Sequence, residues 1–121
     1  MTINEAIDTL DSLQPNTCTR EEKLAWLWRL DGFLHAQIWA HYGGVPAEKP
    51  YTPDTDPDTV LPVTAPWDEI YVRYLQAQVD LTNGELTRYA NSSALYNRLL
   101  TAYRDHYNRT HTPLGTGWKY F

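Results

Sequence analysis

Six of the eight prolines in the chain lie between residues 46 and 66, and this cluster limits what the middle of the chain can fold into. Proline has no amide proton and a fixed φ, so neither a helix nor a central strand can run through such a segment. The segment starts just after Gly43 and also carries three aspartates. We predict one long extended loop over residues 43–65, and loops of that length in compact domains are usually functional or disordered.

Helices are predicted on both sides of this loop. Thr2–Glu5 and Thr19–Glu22 each match a capping box, in which the threonine side chain accepts a backbone N–H and the glutamate bonds back to the threonine N–H. Apolar residues at helical spacing follow each box. The first helix is expected to end at Pro15 and the second at Gly43, because proline and glycine are common helix terminators.

Two further helices are predicted after the loop. Pro66 suits the first position of the third helix, and Asn83-Gly84 is expected to interrupt it. Apolar residues occupy more than one side of this helix, which indicates burial on several sides. The fourth helix is predicted from about Glu85 to Asn108. Its apolar face consists of tyrosines and leucines: Leu86, Tyr89, Tyr96, Leu100, Tyr103 and Tyr107.

The length of 121 residues is enough for one domain and too short for two. We therefore predict an all-α fold, a small bundle of about four helices over residues 1–111, with the long proline-rich loop between the second and third helices. Residues 112–121 are predicted to form a C-terminal tail. Three aromatic residues in this tail are costly to leave in water, so we expect the tail to dock on another surface.

Three polar side chains, Asp31, Gln78 and Asn97, fall within apolar helix faces. A buried carboxylate without partners is strongly destabilising, so it needs hydrogen bonds or a proton. One interpretation is a buried polar network that sets helix register, with tyrosine hydroxyls or tryptophan indoles as donors. The alternative is a binding or regulatory module that holds a peptide or small ligand between helices two and three, at Asp31, His35 and Gln78.

Charge is divided unevenly along the chain, whose net charge is −5. Residues 1–84 hold five basic and thirteen acidic residues, a net of −8, whereas residues 85–121 hold five basic and two acidic residues, a net of +3. Such opposed surfaces favour head-to-tail association of like copies, although charges that only solvate separate helices would give the same count. The acidic total argues against a dedicated nucleic-acid binder.

The sequence contains no pattern that indicates a catalytic, metal or cofactor site. Residues 54–58 resemble the start of a calcium loop, but Thr59 and Ala65 replace its glycine and its last glutamate. The histidines lack zinc-ligand spacing, and no phosphate-binding or nucleophile-elbow motif is present. The single cysteine, Cys18, excludes an internal disulfide, and the lack of signal-peptide features or a membrane span leads us to expect an intracellular protein.

Several strings of residues, taken as a set, resemble one protein family. The strings are Trp26-Leu27, Leu30-Asp31-Gly32, Pro66-Trp67-Asp68-Glu69-Ile70-Tyr71, Tyr74-Leu75, Ala77-Gln78, Asp80, Asn83-Gly84-Glu85, Arg88-Tyr89, Asn91-Ser92 and Tyr107-Asn108-Arg109-Thr110-His111. They resemble a family of short phage and prophage proteins encoded among head and packaging genes, generally taken as head–tail connector, neck or head-completion proteins. The resemblance covers most of residues 3–111.

The resemblance implies a mostly helical subunit that assembles with copies of itself as a ring beneath the portal, in contact with the portal or adjacent neck proteins. It implies no catalytic residue, no cofactor and no membrane, with DNA passing through without specific binding. The expected location is the host cytoplasm during assembly and the virion neck afterwards. From the residues themselves, we expect subunit contacts at apolar positions of the loop, the fourth helix and the tail: Tyr51, Val60, Leu61, Leu95, Leu99, Trp118, Tyr120 and Phe121.

Overall fold

The computed structural model describes residues 1–43 and 50–111, and within them the fold is all-α. The helices are α1 (Ile3–Leu13), α2 (Arg20–Gln37), α3 (Glu69–Thr82) and α4 (Leu86–Thr110), with a short 3₁₀ helix at Trp39–Tyr42 after α2. The predicted small bundle of four helices is confirmed. The part of the loop over residues 44–49 and the tail over residues 112–121 lie outside the described residues.

Both predicted capping boxes are present and begin α1 and α2. The Thr2 hydroxyl accepts the Glu5 N–H at 3.1 Å, and the Glu5 carboxylate accepts the Thr2 N–H at 2.8 Å. The Thr19 hydroxyl likewise accepts the Glu22 N–H at 3.1 Å, and the Glu22 carboxylate accepts the Thr19 N–H at 2.9 Å. These reciprocal bonds satisfy backbone donors that a helix start otherwise leaves without a partner.

The second helix is shorter than predicted, because the α-helix stops at Gln37 and does not continue to Gly43. Ile38 departs from helical geometry, with φ −126° and ψ −65°, and the chain continues as a 3₁₀ helix. In this arrangement the buried Trp39 indole donates a hydrogen bond of 2.8 Å to the Tyr103 hydroxyl of α4. Gly43 then ends the helical segment with a left-handed φ of 81°, as glycine does without strain.

The prediction that Pro66 begins the third helix is wrong, because α3 starts at Glu69. Pro66 lies in a turn in which the Trp67 N–H donates to the Thr64 carbonyl at 3.0 Å, so the chain is still turning there. The predicted burial on several sides is confirmed, since α3 packs against α1, α2 and α4. This helix is therefore the centre of the bundle.

The fourth helix packs along α3 through a narrower face than predicted. Leu100 and Tyr103 are buried, and Tyr96 and Tyr107 pack partly against the core. Leu86 was expected on this face, but it is 68% exposed. It is the first residue of α4 and follows the turn at Gly84, so it lies at the end of the bundle, where α3 has already ended.

The described part of the proline-rich loop lies against the start of α1. Val60 pairs with Thr2 in an isolated antiparallel bridge, and the Leu61 N–H donates to the Met1 carbonyl at 2.9 Å. The Ile3 N–H donates to the Thr59 carbonyl at 3.0 Å. The loop thereby satisfies an amide in the first turn of α1 and adds apolar side chains to the core.

The helices alternate in direction, which gives the bundle two distinct ends. The Gln14 side chain, just after α1, contacts Asp80 near the end of α3, so α1 and α3 run the same way. At the opposite end, Tyr42, the last residue of the 3₁₀ helix, contacts Asn108 near the end of α4. We call this opposite end the loop end, because Thr2 and Val60 pair there and the Met1 amino group lies 3.3 Å from the Asp68 carboxylate.

Candidate functional site

Asp31 is a buried carboxylate in the middle of α2, and two tyrosines hold it. The Tyr71 hydroxyl of α3 donates to its Oδ1 at 2.8 Å, and the Tyr51 hydroxyl of the loop donates to its Oδ2 at 2.6 Å. The side chain of Asp31 is only 4% exposed. We call Asp31, Tyr51 and Tyr71 the Asp31 cluster. The prediction that tyrosine hydroxyls serve as donors to this carboxylate is confirmed.

The Asp31 cluster connects three separate parts of the chain. Tyr71 donates to Asp31 and also accepts the Val63 N–H at 3.0 Å, so one hydroxyl joins α2, α3 and the loop. Tyr51 packs edge-on against Trp28, with ring centroids 5.4 Å apart. Because hydrogen bonds to an ionised group are stronger than neutral ones, the carboxylate is a firm anchor for the loop.

Burial raises the pKa of Asp31 to about 6, and the two tyrosine hydrogen bonds oppose this shift by favouring the charged form. Burial also raises the pKa of both tyrosines, Tyr51 and Tyr71, and the neighbouring carboxylate reinforces the effect. Both phenols therefore stay protonated at neutral pH and act as donors. The cluster changes its charge in the acidic range, through Asp31 alone.

A second buried carboxylate, Asp80, lies near the other end of α3 and is 3% exposed. Its Oδ1 accepts the Gln14 amide at 2.6 Å, and its Oδ2 accepts the Ser92 hydroxyl of α4 at 2.7 Å. We call Gln14, Asp80 and Ser92 the Asp80 cluster. It joins the end of α1, the end of α3 and the start of α4.

The predicted single network of Asp31, Gln78 and Asn97 is wrong. Gln78 is half-buried, and its side-chain oxygen accepts a bond of 3.0 Å from the Arg29 guanidinium at the surface. Asn97 is exposed on the outer side of α4. Helical spacing alone does not show which side of a helix its neighbours cover, and among the described residues α3 is the only α-helix that packs along α4.

The Asp80 cluster was missed at the level of sequence, although one signal was present. In a helix with apolar residues on several sides, a carboxylate in its last turn has no open side and needs partners. The partners themselves, Gln14 and Ser92, come from other helices and have no local pattern that points to them.

Two of the three residues predicted for the ligand-binding alternative are bound to other side chains of the molecule. Both oxygens of Asp31 accept tyrosine hydroxyls, whereas Gln78 bonds to Arg29. His35 is half-buried, one helical turn after Asp31. The alternative stays a prediction.

The predicted subunit-contact residues divide into three groups. The prediction of Leu61 as a subunit-contact residue is wrong, because Leu61 is 2% exposed and belongs to the core of its own chain. Val60 and Leu95 are exposed, at 69% and 38%, and remain available for contact. The half-buried members, Tyr51 and Leu99, pack against the core. The three aromatic residues of the tail, Trp118, Tyr120 and Phe121, lie outside the described residues.

A cleft of about 720 Å³ lies along the loop and is mostly apolar. Pro50, Tyr51, Val60 and Pro62 form its apolar lining, and Asp54 supplies a carboxylate. Its volume is within the range of small-molecule and peptide sites. The cleft was not foreseen, because the sequence indicates an extended segment there but not how the segment folds back on itself.

Comparison with known proteins gives no relative, since no family model, curated protein or solved structure matches the chain. Within residues 1–43 and 50–111, no cluster of three or more histidine, cysteine, aspartate or glutamate side chains is arranged to hold a metal ion. Over the same residues, no helix combines the length and the apolar character needed to span a membrane.

Four of the six residues in the two carboxylate clusters belong to the strings on which the expected family resemblance rests: Asp31, Tyr71, Asp80 and Ser92. Gly84, from another of these strings, takes a left-handed φ of 71° at the turn between α3 and α4. These residues hold helices together or turn the chain.

Proposed function

We propose that this protein is a structural assembly subunit of a tailed phage or prophage, a head–tail connector or neck protein that acts by contacts with copies of itself and with the portal. The observation that carries the proposal is the separation of charge between two different surfaces. The acidic surface is the loop at one end of the bundle, and the basic surface is α4.

The acidic surface has no compensating cation in its own segment. Asp54, Asp56 and Asp58 are all exposed, and residues 50–66 contain no lysine or arginine. Exposed Val60 lies beside them. An apolar side chain next to several like charges is the composition expected of a polar interface rim around a small apolar centre.

The basic surface is the outer side of α4. This helix carries four arginines and a single acidic residue, Asp105, which makes its net charge +3. Arg98 and Arg109 are exposed, and exposed Leu95 lies on the same helix. An acidic loop on one copy and a basic helix on the next are complementary in a head-to-tail contact, and head-to-tail contacts close into rings when the rotation between copies allows it.

The net charge of −5 supports the same proposal, because it bears on how the protein would interact with DNA. A channel that lets DNA pass must not bind the phosphate backbone tightly. An acidic protein lacks the excess of cationic side chains that gives nonspecific DNA affinity. In a ring, the pairing of α4 with the acidic loop of the neighbour would also remove arginines from the surface that meets DNA.

The test is assembly with and without a portal ring. We expect light scattering or sedimentation to show oligomers that grow with protein concentration, or rings that form when portal protein is added. Because exposed ion pairs are screened by salt, raising the ionic strength should weaken the assembly. A chain that stays monomeric at high concentration, and also fails to cross-link to a portal ring, would overturn the proposal.

A charge reversal sharpens this test. Arg98→Glu with Arg109→Glu is expected to abolish the oligomers or the portal-bound rings, because both residues belong to the basic surface. The control is Arg20→Glu, at another exposed arginine on the first turn of α2, away from that surface, and it is compared with Arg98→Glu alone because each of these single reversals changes the net charge by −2. Assembly that is equally sensitive to both changes would show that total charge matters and the basic surface does not.

A further inference from the structure

The loop is attached to the bundle unevenly along its length, and residues 57–63 are its firmly held part. The Ile3 N–H donates to the Thr59 carbonyl at 3.0 Å. The side chains of Leu61 and Val63 are 2% and 1% exposed and pack in the core. This part of the loop cannot leave the bundle without breaking core contacts.

Residues 51–55 form a turn that is attached through one side chain. Within residues 1–43 and 50–111, the 2.6 Å bond from the Tyr51 hydroxyl to Asp31 is the one hydrogen bond that joins this turn to a helix. The backbone bond of the turn is internal, since the Thr55 N–H donates to the Thr52 carbonyl at 2.9 Å. Internal bonds are kept when the turn moves as a unit.

Open space separates this turn from the firmly held part. The cleft of about 720 Å³ is lined by residues 50–55 and by residues 59–62, so it lies between the two parts of the loop. The Tyr51 ring packs edge-on against Trp28 of α2. We propose that residues 51–55 form a lid over the Asp31 carboxyl, which closes more tightly when this carboxyl is protonated and opens to water more often when it is ionised.

The physical reason is that Tyr51 both binds Asp31 and covers it. The hydrogen bond favours the ionised carboxylate, whereas burial disfavours it, because a buried charge loses its hydration. Burial is the larger of the two effects, since it raises the pKa of Asp31 to about 6 despite both tyrosine bonds. When the lid opens, water reaches Oδ2 and replaces the phenol as a donor. The ionised form therefore gains from opening, and the protonated form does not.

The other titratable groups around Asp31 come from three helices. Tyr71 of α3 donates to Asp31, and burial raises the pKa of this phenol. Burial also raises the pKa of Tyr103 in α4, with a smaller contribution from the charge of Asp31. Both phenols stay protonated between pH 5 and pH 7. His35 lies one helical turn after Asp31 on α2, and histidine changes its charge in this range, so the variants below all keep His35.

The size of the effect follows from the pKa of Asp31. This pKa lies about 2 units above the ordinary value of 3.8, and the lid covers one of the two carboxylate oxygens, so about one unit is assigned to the lid. One unit is a factor of ten, and by linkage the same factor applies to lid opening. With a pKa of about 6 closed and about 5 open, the lid should open about fivefold more often at pH 7 than at pH 5.

Two substitutions of Tyr51 separate the cover from the hydrogen bond, and both are read from the ¹³C signal of the Asp31 carboxyl carbon during a pH titration. Tyr51→Phe keeps the ring and removes the bond, so the pKa of Asp31 should rise further. Tyr51→Ala removes the ring and admits water, so this pKa should fall by about one unit. The matched control is Tyr89→Ala, at a half-buried tyrosine of α4, which should leave the pKa of Asp31 unchanged.

The decisive result is the direction of the shift in Tyr51→Ala. A lower pKa of Asp31 supports the inference, and a higher one in Tyr51→Phe shows that the ring keeps water out. A pKa that rises or stays unchanged in Tyr51→Ala would overturn the inference, because the turn would then not limit the access of water to Asp31.

Lid opening is also measured directly in the unaltered chain, by relaxation dispersion of the Tyr51 ring ¹³C signals. The open population should be about fivefold larger at pH 7 than at pH 5. Asp31→Asn removes the titrating group and keeps His35, so its open population should not change with pH. Equal open populations at both pH values in the wild type would overturn the inference. A pH dependence that persists in Asp31→Asn would overturn it as well, because another group would then control the lid.

Discussion

Asp31 and Asp80 are buried to the same degree, yet they hold different kinds of structure. The Asp80 cluster joins the ends of helices through an amide and a hydroxyl. The Asp31 cluster reaches through Tyr51 to a segment without regular structure, and Tyr71 extends the contact to the Val63 backbone. Asp80 therefore fixes the register of the helices, whereas Asp31 attaches the proline-rich loop to the helix bundle.

The difference shows how a long loop can be kept in place without strands or a disulfide. The described loop has little backbone pairing beyond its contacts with Met1 and with Ile3 and Asn4 in the first turn of α1. A charged acceptor buried under the loop supplies the additional anchor, since charge-assisted bonds are stronger than neutral ones. Loss of that anchor should release the loop while the helices remain, and this expectation separates the two clusters in experiment.

The largest expected effects come from removing each carboxylate in turn. Asp80→Ala removes the shared acceptor of the half-buried Gln14 amide and the buried Ser92 hydroxyl and should lower the free energy of unfolding by about 3 kcal/mol. Asp31→Ala should cost about 2 kcal/mol at neutral pH, because it also removes the unfavourable burial of a charge. Urea unfolding followed by circular dichroism measures both values.

Hydrogen exchange distinguishes the two variants beyond their stability. In Asp31→Ala, the amides of Leu61 and Ile3, which join the loop to α1, should exchange faster than the rest of the bundle. In Asp80→Ala, the acceleration should centre on Glu85, whose N–H donates to the Asp80 carbonyl. If the exchange of the same amides became faster in both variants, the two clusters would not differ in the structure they hold.

Acid should stabilise the molecule through Asp31. The pKa of this carboxyl is about 6 in the folded chain and 3.8 in its ordinary state, so the folded protein binds the proton more tightly than the unfolded chain does. The stabilisation is full below pH 4 and is lost as pH rises through 6. Its size is on the order of 3 kcal/mol, at about 1.4 kcal/mol for each unit of pKa difference.

The measurement compares urea unfolding of the wild type and Asp31→Asn between pH 4 and pH 7. Other carboxyl groups titrate in both proteins, so the difference between the two curves isolates Asp31. Asn97→Ala serves as the control, because Asn97 is exposed and the change should leave the pH dependence of the wild type intact. Parallel curves for wild type and Asp31→Asn would contradict the raised pKa.

The two tyrosines of the Asp31 cluster should differ in importance. Tyr71→Phe removes a donor to Asp31 and the acceptor of the Val63 N–H, so it should cost about 2 kcal/mol. Tyr51→Phe removes one bond from a half-buried ring and should cost about 1 kcal/mol. Thermal and urea unfolding of both variants test the order, and a larger loss for Tyr51→Phe would reverse the inferred roles.

The smallest effect is expected for the polar pair outside both clusters. Gln78→Ala breaks the bond from Arg29 at the surface, where water replaces the lost partner, so the loss should be under about 0.5 kcal/mol. The same unfolding assay applies. A cost comparable to that of Tyr71→Phe would mean that Gln78 belongs to the buried network after all.

Much of the helical fold could be predicted from the sequence, because its signals are local. The two capping boxes and the glycines at Gly43 and Gly84 act on neighbouring residues, and each appears where the pattern indicates. The departures are at Ile38 and Glu69, where a core contact of Trp39 and a turn before α3 decide the boundary. Such contacts involve distant residues and leave no local pattern.

The candidate site was predictable only in part. Asp31 was identified as buried, and the class of its donors followed from chemistry, but Tyr51 and Tyr71 lie 20 and 40 residues away in sequence. Leu61 was taken for a contact residue because an extended segment does not show which of its side chains turn inward. The missing information in both cases is tertiary.

The position of α3 at the centre of the bundle has a consequence for how this chain can diverge. Ile70, Tyr71, Val72, Ala77 and Val79 point in different directions around the helix, and all are buried. A lineage of such proteins has little freedom to vary this stretch, while the exposed outer side of α4 can change its composition without loss of the core. Distant homologues of this chain would therefore keep sequence similarity in α3 after the similarity of their other segments has been lost.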